Sequence, residues 1–298
     1  MKAVQYNEFG GPEVLHVVEV DVPEPGPGQV RIAVKASGVN PFDWKLRLGY
    51  MPAMVTFPAG IGQDAAGVVT AVGEGVDAVG VGDEVFGTTG RQCAAAEEAV
   101  LVAYARKPAG LTWEQAGSAG LGAETALRGL RALGLTAGQT LLIDGASGGV
   151  GLAALQFAVA DGLRVIGSTG ASKNDLVESL GGTPVLYGAG IADRVRALAP
   201  GGVDGIYQAA GESTDELLTL IDDPAKMVTI VDFAAGAKGV QVSGGGAGQW
   251  AAALPAVVAL TEKGTYVIRV GRTFPLEEAG AAQAYSAAGG DGRAVIVP

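Results

Sequence analysis

The sequence predicts an α/β protein in two parts: a doubly wound parallel sheet, and a smaller, mostly antiparallel β domain. Three observations carry that prediction. The chain has 298 residues, too long for one typical core and about right for two. Its first hundred residues read as short strands broken by turn signals, and from about Leu111 strand-like and helix-like segments alternate.

In order, "VLHVVEVDVPEPGPGQVRIAVKASGV" holds two strand-like runs around a Pro/Gly cluster, and "DAAGVVTAVGEGVDAVGVGDEVFG" holds more, punctuated by glycine. "TWEQAGSAGLGAETALRGLRALG" reads as helical. Then come "TLLID", a helix from Gly149 to about Asp161, "RVIGS", a helix from Ser172 to Leu180, "PVLY" and a helix near Ala192 to Ala199. "VDGIYQA", a helix from Thr214 to Ile221, "MVTIV" and a last helix from about Gln249 to Lys263 complete the alternation. The tail from Tyr266 gives strand, helix and strand again. Repeated β-α units of this length imply a parallel sheet.

Composition narrows the function. With 48% hydrophobic and 17% charged residues the chain can bury sizeable cores. No apolar run of about 18 uncharged residues appears, so no membrane span is expected, and no membrane partner. The start, "MKAVQYNEFG", lacks an apolar h-region, so a cytoplasmic protein is the expectation. A net charge of −11 argues against a nucleic-acid partner, which would favour a basic face. There is one cysteine, Cys93, and one histidine, His16. A catalytic zinc usually takes three protein ligands and a structural zinc four, mostly cysteine. Neither set can be assembled here in the usual way, so no metal site is expected. A Ser-His-Asp triad is disfavoured too: His16 sits in the alternating run "VLHVVEV" as a half-exposed strand residue. Cys93 reads as a packed or surface thiol.

The most informative stretch is "TLLIDGASGGVGLAALQFAVA", a strand, a glycine turn and a helix. Glycine is costly in chain entropy, so something must need it. In a doubly wound sheet this first β-α turn faces the pyrophosphate of a dinucleotide, and the helix N-terminus favours the phosphate charge. Ser147, Gly148, Gly149 and Val150 are therefore candidate cofactor-binding residues. An acidic residue at the end of the next strand would bind the ribose 2′-OH of NAD. That strand ends "VIGSTGASKND": Ser168 and Thr169 stand at the expected place, Lys173 follows, and no acid occurs until Asp175, inside the next helix. A carboxylate would repel a 2′-phosphate, whereas hydroxyls and a lysine can bind one. The expected cofactor is NADPH/NADP, with Ser168, Thr169 and Lys173 at its 2′-phosphate. The alternative for Lys173 is a solvated first-turn residue.

Together these pieces resemble the medium-chain dehydrogenase/reductase superfamily, and most of all its zinc-independent quinone oxidoreductase and enone reductase branch. The segments that carry the resemblance are "KASGVNPFDWKLRLG", "FPAGIGQDAAGVVTAVGEGV", "VGDEVFG", "LTAGQTLLIDGASGGVGLAALQFA" and "RTFPLEEAGAAQAYSAAGGDGRAVIVP", nearly the whole chain. The departures from the zinc enzymes agree with the residue count. The segment "SGVNPFDWK" has no cysteine, the Gly-His-Glu segment appears as Gly62-Gln63-Asp64, and the four-cysteine lobe is missing.

The resemblance implies a GroES-like catalytic domain over residues 1–112, completed by 267–298, and a Rossmann-like NADP(H)-binding domain over 113–266. It places Asn40 beside the nicotinamide ribose and the substrate, and Thr125 near the nicotinamide. Tyr187 matches a tyrosine that stacks or hydrogen-bonds at the adenosine 2′-phosphate. Gly211 and Phe233 border the nicotinamide ribose. The alternatives are a turn-capping Asn40 and a core-edge Tyr187.

The implied activity is hydride transfer to a quinone or to the C=C bond of an α,β-unsaturated carbonyl compound. Hydride transfer belongs to the cofactor, and the protein supplies position and polarisation. Negative charge moves to the carbonyl oxygen as an enolate, for which hydrogen-bond donors can suffice without zinc. Asn40, Lys45 and the ribose hydroxyl are the candidate donors, and the alternative for Lys45 is a solvated surface residue. Asp43 would organise its loop, and Phe42, Trp44, Tyr50 and Met54 would supply apolar walls, or simply core. Rival readings are an enoyl reductase tailoring a polyketide-type intermediate, and a non-catalytic NADPH-binding protein. A homodimer is implied by analogy alone.

Overall fold

A computed structural model describes residues 1–90, 93–211, 213–244 and 249–298. The first part of the chain brings β1 (Lys2–Tyr6), β2 (His16–Glu19), β3 (Val30–Gly38), α1 (Pro41–Arg47), β4 (Ala59–Gly60), β5 (Asp64–Val72), β6 (Glu84–Thr88), β7 (Glu98–Leu101), β8 (Ala103–Arg106) and α2 (Trp113–Ala116). Alternation then takes over with α3 (Gly120–Leu133), β9 (Thr140–Asp144), α4 (Gly149–Ala160), β10 (Arg164–Thr169), α5 (Asn174–Ser179), β11 (Thr183–Leu186) and α6 (Ile191–Leu198). It continues through β12 (Gly205–Gln208), α7 (Thr214–Leu218), β13 (Met227–Thr229) and β14 (Gln241–Val242). The chain closes with α8 (Trp250–Glu262), β15 (Val270–Pro275), α9 (Ala279–Ala287) and β16 (Arg293–Val297).

Two of the expected helices are shorter than their sequence pattern. The one expected from Ser172 begins with a 3₁₀ turn, Ala171–Lys173, before α5. The one expected to reach Ile221 stops at Leu218, ahead of a 3₁₀ turn at Pro224–Lys226 that Asp223 caps.

The chain forms two compact units, residues 1–121 with 250–298, and residues 122–249. The sequence reading divides the chain at 112 and 267 instead. The difference lies in α2 and α8, which pack on β3 and β8 respectively and so group with the first unit.

Among the described residues the first unit has a three-stranded sheet, β2-β1-β4, and a larger one ordered β15-β16-β3-β5-β6-β8, with β7 also pairing with β3. Every second residue of β3, Val30, Ile32 and Val34, enters one core with Ala65, Val69, Val85 and Leu101, as the two-residue period of a strand requires. The tail supplies a second core, where Phe274, Leu276 and Ile296 pack with Val4, Tyr6 and Val39. Register matters most at one end of β3. Gly38 lies opposite Asp64 on β5 and opposite Val295 on β16, both antiparallel. The end of β3 and the starts of β5 and β16 therefore meet. Gly38 is needed there, because a Cβ on it would stand 2.6 Å from the Cα of Ser118.

Among the described residues the second unit has a six-stranded sheet ordered β11-β10-β9-β12-β13-β14, every pairing parallel. Its central strand β9 is buried throughout, as expected of a strand covered on both faces. Helix α4 is apolar but for Gln156, whose amide donates to the Leu152 carbonyl, and is buried from Gly151 to Ala158, the signature of a helix enclosed by its neighbours. Helix α3 approaches β12 through Gly129, where a Cβ would lie 2.2 Å from the Tyr207 ring. The Tyr207 hydroxyl, fully buried, donates to the Thr125 carbonyl at 2.8 Å.

Candidate functional site

The strand order of the second unit reverses at β9. Strands β10 and β11 run out on one side of it, and β12 to β14 on the other. In open α/β sheets ligands bind outside the carboxyl ends of the strands at such a switch point. Here that point is built from the loops after β9 and β12. They approach so closely that a Cβ on Gly145 would stand 2.5 Å from the Cβ of Ala210, and Gly145 has φ +87°, open to glycine at little cost. A Cβ on Gly151 would sit 2.1 Å from the Gly145 carbonyl oxygen. Gly148 and Gly149 are exposed at the start of α4, and Gly148, the N-cap, offers no side chain to the first helical N–H groups. Those groups and the helix dipole make an anion cradle. The residues present fit a dinucleotide pyrophosphate.

The hydroxyls predicted at the 2′ end divide into two kinds. Ser168 is fully buried, and its hydroxyl donates to the Asp144 carboxylate at 2.5 Å while accepting the Gly145 N–H at 2.8 Å. It braces the glycine turn with its single hydrogen given to Asp144, where the sequence suggests a phosphate contact. Burial pushes the Asp144 carboxyl up, and the Ser168 hydroxyl opposes the shift. Thr169 donates to the Ser147 hydroxyl at 2.8 Å, which leaves the Ser147 hydrogen to donate elsewhere.

Thr169, Lys173 and Tyr187 gather around Gly170. The Lys173 N–H donates to the Gly170 carbonyl at 2.9 Å, and the Tyr187 N–H to the Thr169 carbonyl at 3.2 Å. The Tyr187 ring lies 3.5 Å from where a Gly170 Cβ would stand, and the residue is 68% exposed. Its loop is pinned from below: Arg194 donates to the carbonyls of Leu186, Tyr187, Gly188 and Ala189. The Tyr187 ring is thus exposed on a braced loop and is not part of a core.

Beyond β12 and β13, Gly211 is exposed with φ +40°, and Phe233 is 61% exposed at the start of a 3₁₀ turn. The two loops are tied together by a buried Thr214, which donates to Asp232 at 2.6 Å and accepts from Gln208 at 3.0 Å. Thr125 is half-buried on α3 in the same unit.

In the first unit, the meeting point of β3, β5 and β16 carries a buried polar cluster. Asn40, the N-cap of α1, is 3% exposed and held at three points. Its backbone N–H donates to Asp43 at 2.8 Å, its Nδ2 donates to Asp64 at 3.0 Å, and its Oδ1 accepts from Arg293 at 2.8 Å. Asp64 also accepts the Leu121 N–H at 2.7 Å, and Arg293 donates to the Ser118 carbonyl at 2.9 Å. Burial raises the Asp43 carboxyl to about 7, with Asp64 adding to the rise while the Asn40 N–H and Arg293 oppose it. Burial likewise raises Asp64 to about 6 against Arg293 and its hydrogen bonds. Tyr266 is buried beside this group and its phenol is pushed up. Arg293 and Tyr266 escape a reading of motifs, and Asp64 enters it only as the last residue of Gly62-Gln63-Asp64, with no role. For Asp64 and Arg293 the signal is a lone charge opening an otherwise apolar strand, "DAAGVV" and "RAVIV".

Lys45 takes no part in this cluster. It is half-buried, with its ammonium 5.5 Å from the centre of the Trp44 ring. Tyr50 is 66% exposed, and Phe42, Trp44 and Met54 are half-buried. Cys93 is a packed thiol, its sulfur 3.5 Å from the Val4 carbonyl oxygen and 3.4 Å from that of Ala95, and burial pushes it up. His16 is exposed on β2. Among the described residues no three His, Cys, Asp or Glu side chains converge to hold a metal. The cluster around Asn40 offers an amide, a guanidinium and two carboxylates already accepting N–H groups, a donor set that does not fit zinc. Among the described residues no helix is long and apolar enough to cross a membrane.

Residues 26–128 match the family described as the alcohol dehydrogenase GroES-like domain, and residues 149–238 that described as zinc-binding dehydrogenase. The human quinone oxidoreductase is 39% identical over 181 residues, 59% of this chain and 55% of that protein, so the chain spans about half the length of the curated relatives it matches. An alcohol dehydrogenase superfamily protein from Novosphingobium aromaticivorans has a crystal structure that matches with a TM-score of 0.89 and 33% identity, covering 100% of this chain and 99% of that one. A mycobacterial structure in complex with NADPH matches with a TM-score of 0.85 and 29% identity over 100% of both chains. A GroES-like β unit and a Rossmann-like unit with a glycine cradle at its switch point define a nucleotide-dependent dehydrogenase fold. The chain belongs to the medium-chain dehydrogenase/reductase superfamily, in its quinone oxidoreductase branch.

Proposed function

We propose that this protein is a zinc-independent, NADPH-dependent oxidoreductase that transfers hydride to a quinone or to the C=C bond of an enone. The observation that carries the cofactor choice is the end of β10. The strand closes with Ser168 and Thr169 in place of the carboxylate that would meet a ribose 2′-OH, and Lys173 and the exposed Tyr187 both adjoin Gly170. The NADPH complex of a structural relative supports it. A bound nicotinamide would supply the hydride at its reduced ring. Ser147, Gly148, Gly149 and Val150 hold the pyrophosphate, Lys173 and Tyr187 the 2′-phosphate, and Thr125, Gly211 and Phe233 border the nicotinamide end.

The substrate class follows from the relatives' branch and from the donors at hand. One quinone, one NADPH and one proton give one hydroquinone and one NADP⁺. Charge developing on the oxygen is met by the Asn40 amide and the Lys45 ammonium, in place of a metal. The reading includes a cytoplasmic homodimer acting on small molecules.

Steady-state NADPH oxidation tests the reading, using a panel of quinones, enones and acyl-CoA thioesters on protein dialysed against a strong chelator. Turnover with a quinone or an enone, undiminished by the chelator, is the expected result. Activity lost with stoichiometric zinc and restored by it would overturn the metal-free part. Tight NADPH binding without turnover of any acceptor would return the protein to a binding role.

A further inference from the structure

We propose that Asp64 and Arg293 are positioning residues that lock the Asn40 amide in one orientation and so aim its nitrogen at the substrate oxygen. The proposal rests on the reading of Asn40 as a donor, and it concerns what makes that donor usable.

An N-cap asparagine needs little help to cap a helix as short as α1. Asn40 nevertheless draws partners from three places in the chain, Asp43 on its own helix, Asp64 on β5 and Arg293 on β16. The two ends of an amide are nearly equal in size, so only its partners decide which way it points. Both partners here are one-sided. A guanidinium can only donate, so Arg293 must meet Oδ1. An ionised carboxylate can only accept, so Asp64 must meet Nδ2. Each partner is itself tied to main chain, Arg293 through the Ser118 carbonyl and Asp64 through the Leu121 N–H. The result is a chain from backbone to backbone with the Asn40 amide at its centre. The two bonds use one amide hydrogen and one lone pair, and the proposed donor role falls to the second hydrogen of Nδ2.

The arrangement is expensive for a mere cap. Two buried carboxyls and a half-buried guanidinium must be desolvated, and apolar residues of similar volume often serve stability as well or better. Orientation of a donor is what such a cluster supplies and an apolar core cannot.

The test uses Asp64→Asn, which keeps the shape. Its amide must turn a hydrogen toward either the Asn40 amide or the Leu121 N–H, so one donor faces another. Arg293→Lys is the second variant, because a lysine cannot span Asn40 and Ser118 as a planar fork does. The first readout is exchange of the Asn40 side-chain amide hydrogens by nitrogen-15 NMR, assigned by their loss in Asn40→Leu. Exchange faster by about tenfold or more in both variants is expected, and exchange at the wild-type rate overturns the proposal. The second readout is kcat. Asp64→Asn should lower it by about tenfold or more, below the roughly 10²–10³ for outright loss of an oxyanion donor. The double variant with Asn40→Leu should be no slower than the slower single one. Additive losses would make Asp64 merely structural and overturn the shared role. Full kcat in Asn40→Leu, with exchange still accelerated by Asp64→Asn, would leave the lock standing and sink the donor reading instead.

Discussion

The Ser168 hydroxyl donates to Asp144 at 2.5 Å and accepts the Gly145 N–H at 2.8 Å, joining the ends of two neighbouring parallel strands to the first residue of the glycine turn. Its capacity is spent inside the protein. Ser168→Ala would leave the half-buried Gly145 N–H and the buried Asp144 carboxyl without that partner, which costs about 1–3 kcal/mol. The turn would loosen for any dinucleotide. NADPH and NADH should therefore weaken by the same factor, together with a lower Tm, as calorimetric titration of both cofactors would read. A loss confined to NADPH would place Ser168 at the phosphate after all.

Lys173 and Tyr187 should behave the other way. The Lys173 N–H bonds the Gly170 carbonyl and the Tyr187 ring lies beside Gly170, where the proposed site would receive the 2′-phosphate that NADH lacks. A hydrogen bond to a charged group contributes about 1.5–3 kcal/mol, and about 1.4 kcal/mol is tenfold in affinity. Solvent at this rim argues for the lower end. Lys173→Ala should weaken NADPH by about tenfold and leave NADH nearly unchanged. Equal weakening of both cofactors would move the 2′-phosphate site elsewhere.

The contrast between Ser168 and Tyr187 shows what the sequence could carry. The glycine turn was legible because a buried apolar strand, "TLLID", runs straight into it, a local pattern that survives folding intact. The absence of a carboxylate after β10 was legible for the same reason. Which hydroxyl is open to a ligand was not, because that depends on Asp144, which reaches Ser168 from the adjacent strand. Asn40 was legible through its motif. Its partners were not, since Asp64 and Arg293 meet it only through the register of β5 and β16 on β3. Strand register over long separations is set by whole-sheet packing, not by neighbours in sequence.

Lys45 offers a narrower test. Its ammonium lies over the Trp44 ring and outside the Asn40 cluster, half-exposed to solvent that weakens any interaction with a developing enolate. Lys45→Met should lower kcat by about tenfold, less than the roughly 10²–10³ that removal of one well-placed oxyanion donor costs. NADPH affinity should not change. An unaltered kcat in the folded variant would leave Asn40 as the only side-chain donor of the two.

The Asp43 carboxyl gives the protein a pH dependence of predictable sign. It is 5% exposed, and burial lifts it from an ordinary 3.8 to about 7. The folded state thus keeps a proton that the unfolded chain has already released. Where the folded state binds more protons, stability falls as pH rises. The window runs from about 4, where the unfolded carboxyl ionises, to about 7, where the folded one does. Above that both states are ionised and the contribution is constant. Asp64 acts in the same direction, with its window closing at about 6. Asp83 and Asp232, held below the usual carboxylate range by Arg106 and Thr214 respectively, act in the opposite direction. A difference measurement removes them. Asp43→Asn keeps an oxygen for the Asn40 N–H and stays neutral throughout. Urea unfolding of both proteins from pH 4.5 to 8 should show wild type losing stability relative to Asp43→Asn as pH rises to about 7, and no further change beyond. A difference that rises with pH would mean that Arg293 and the Asn40 N–H outweigh burial, and that Asp43 is ionised across the physiological range.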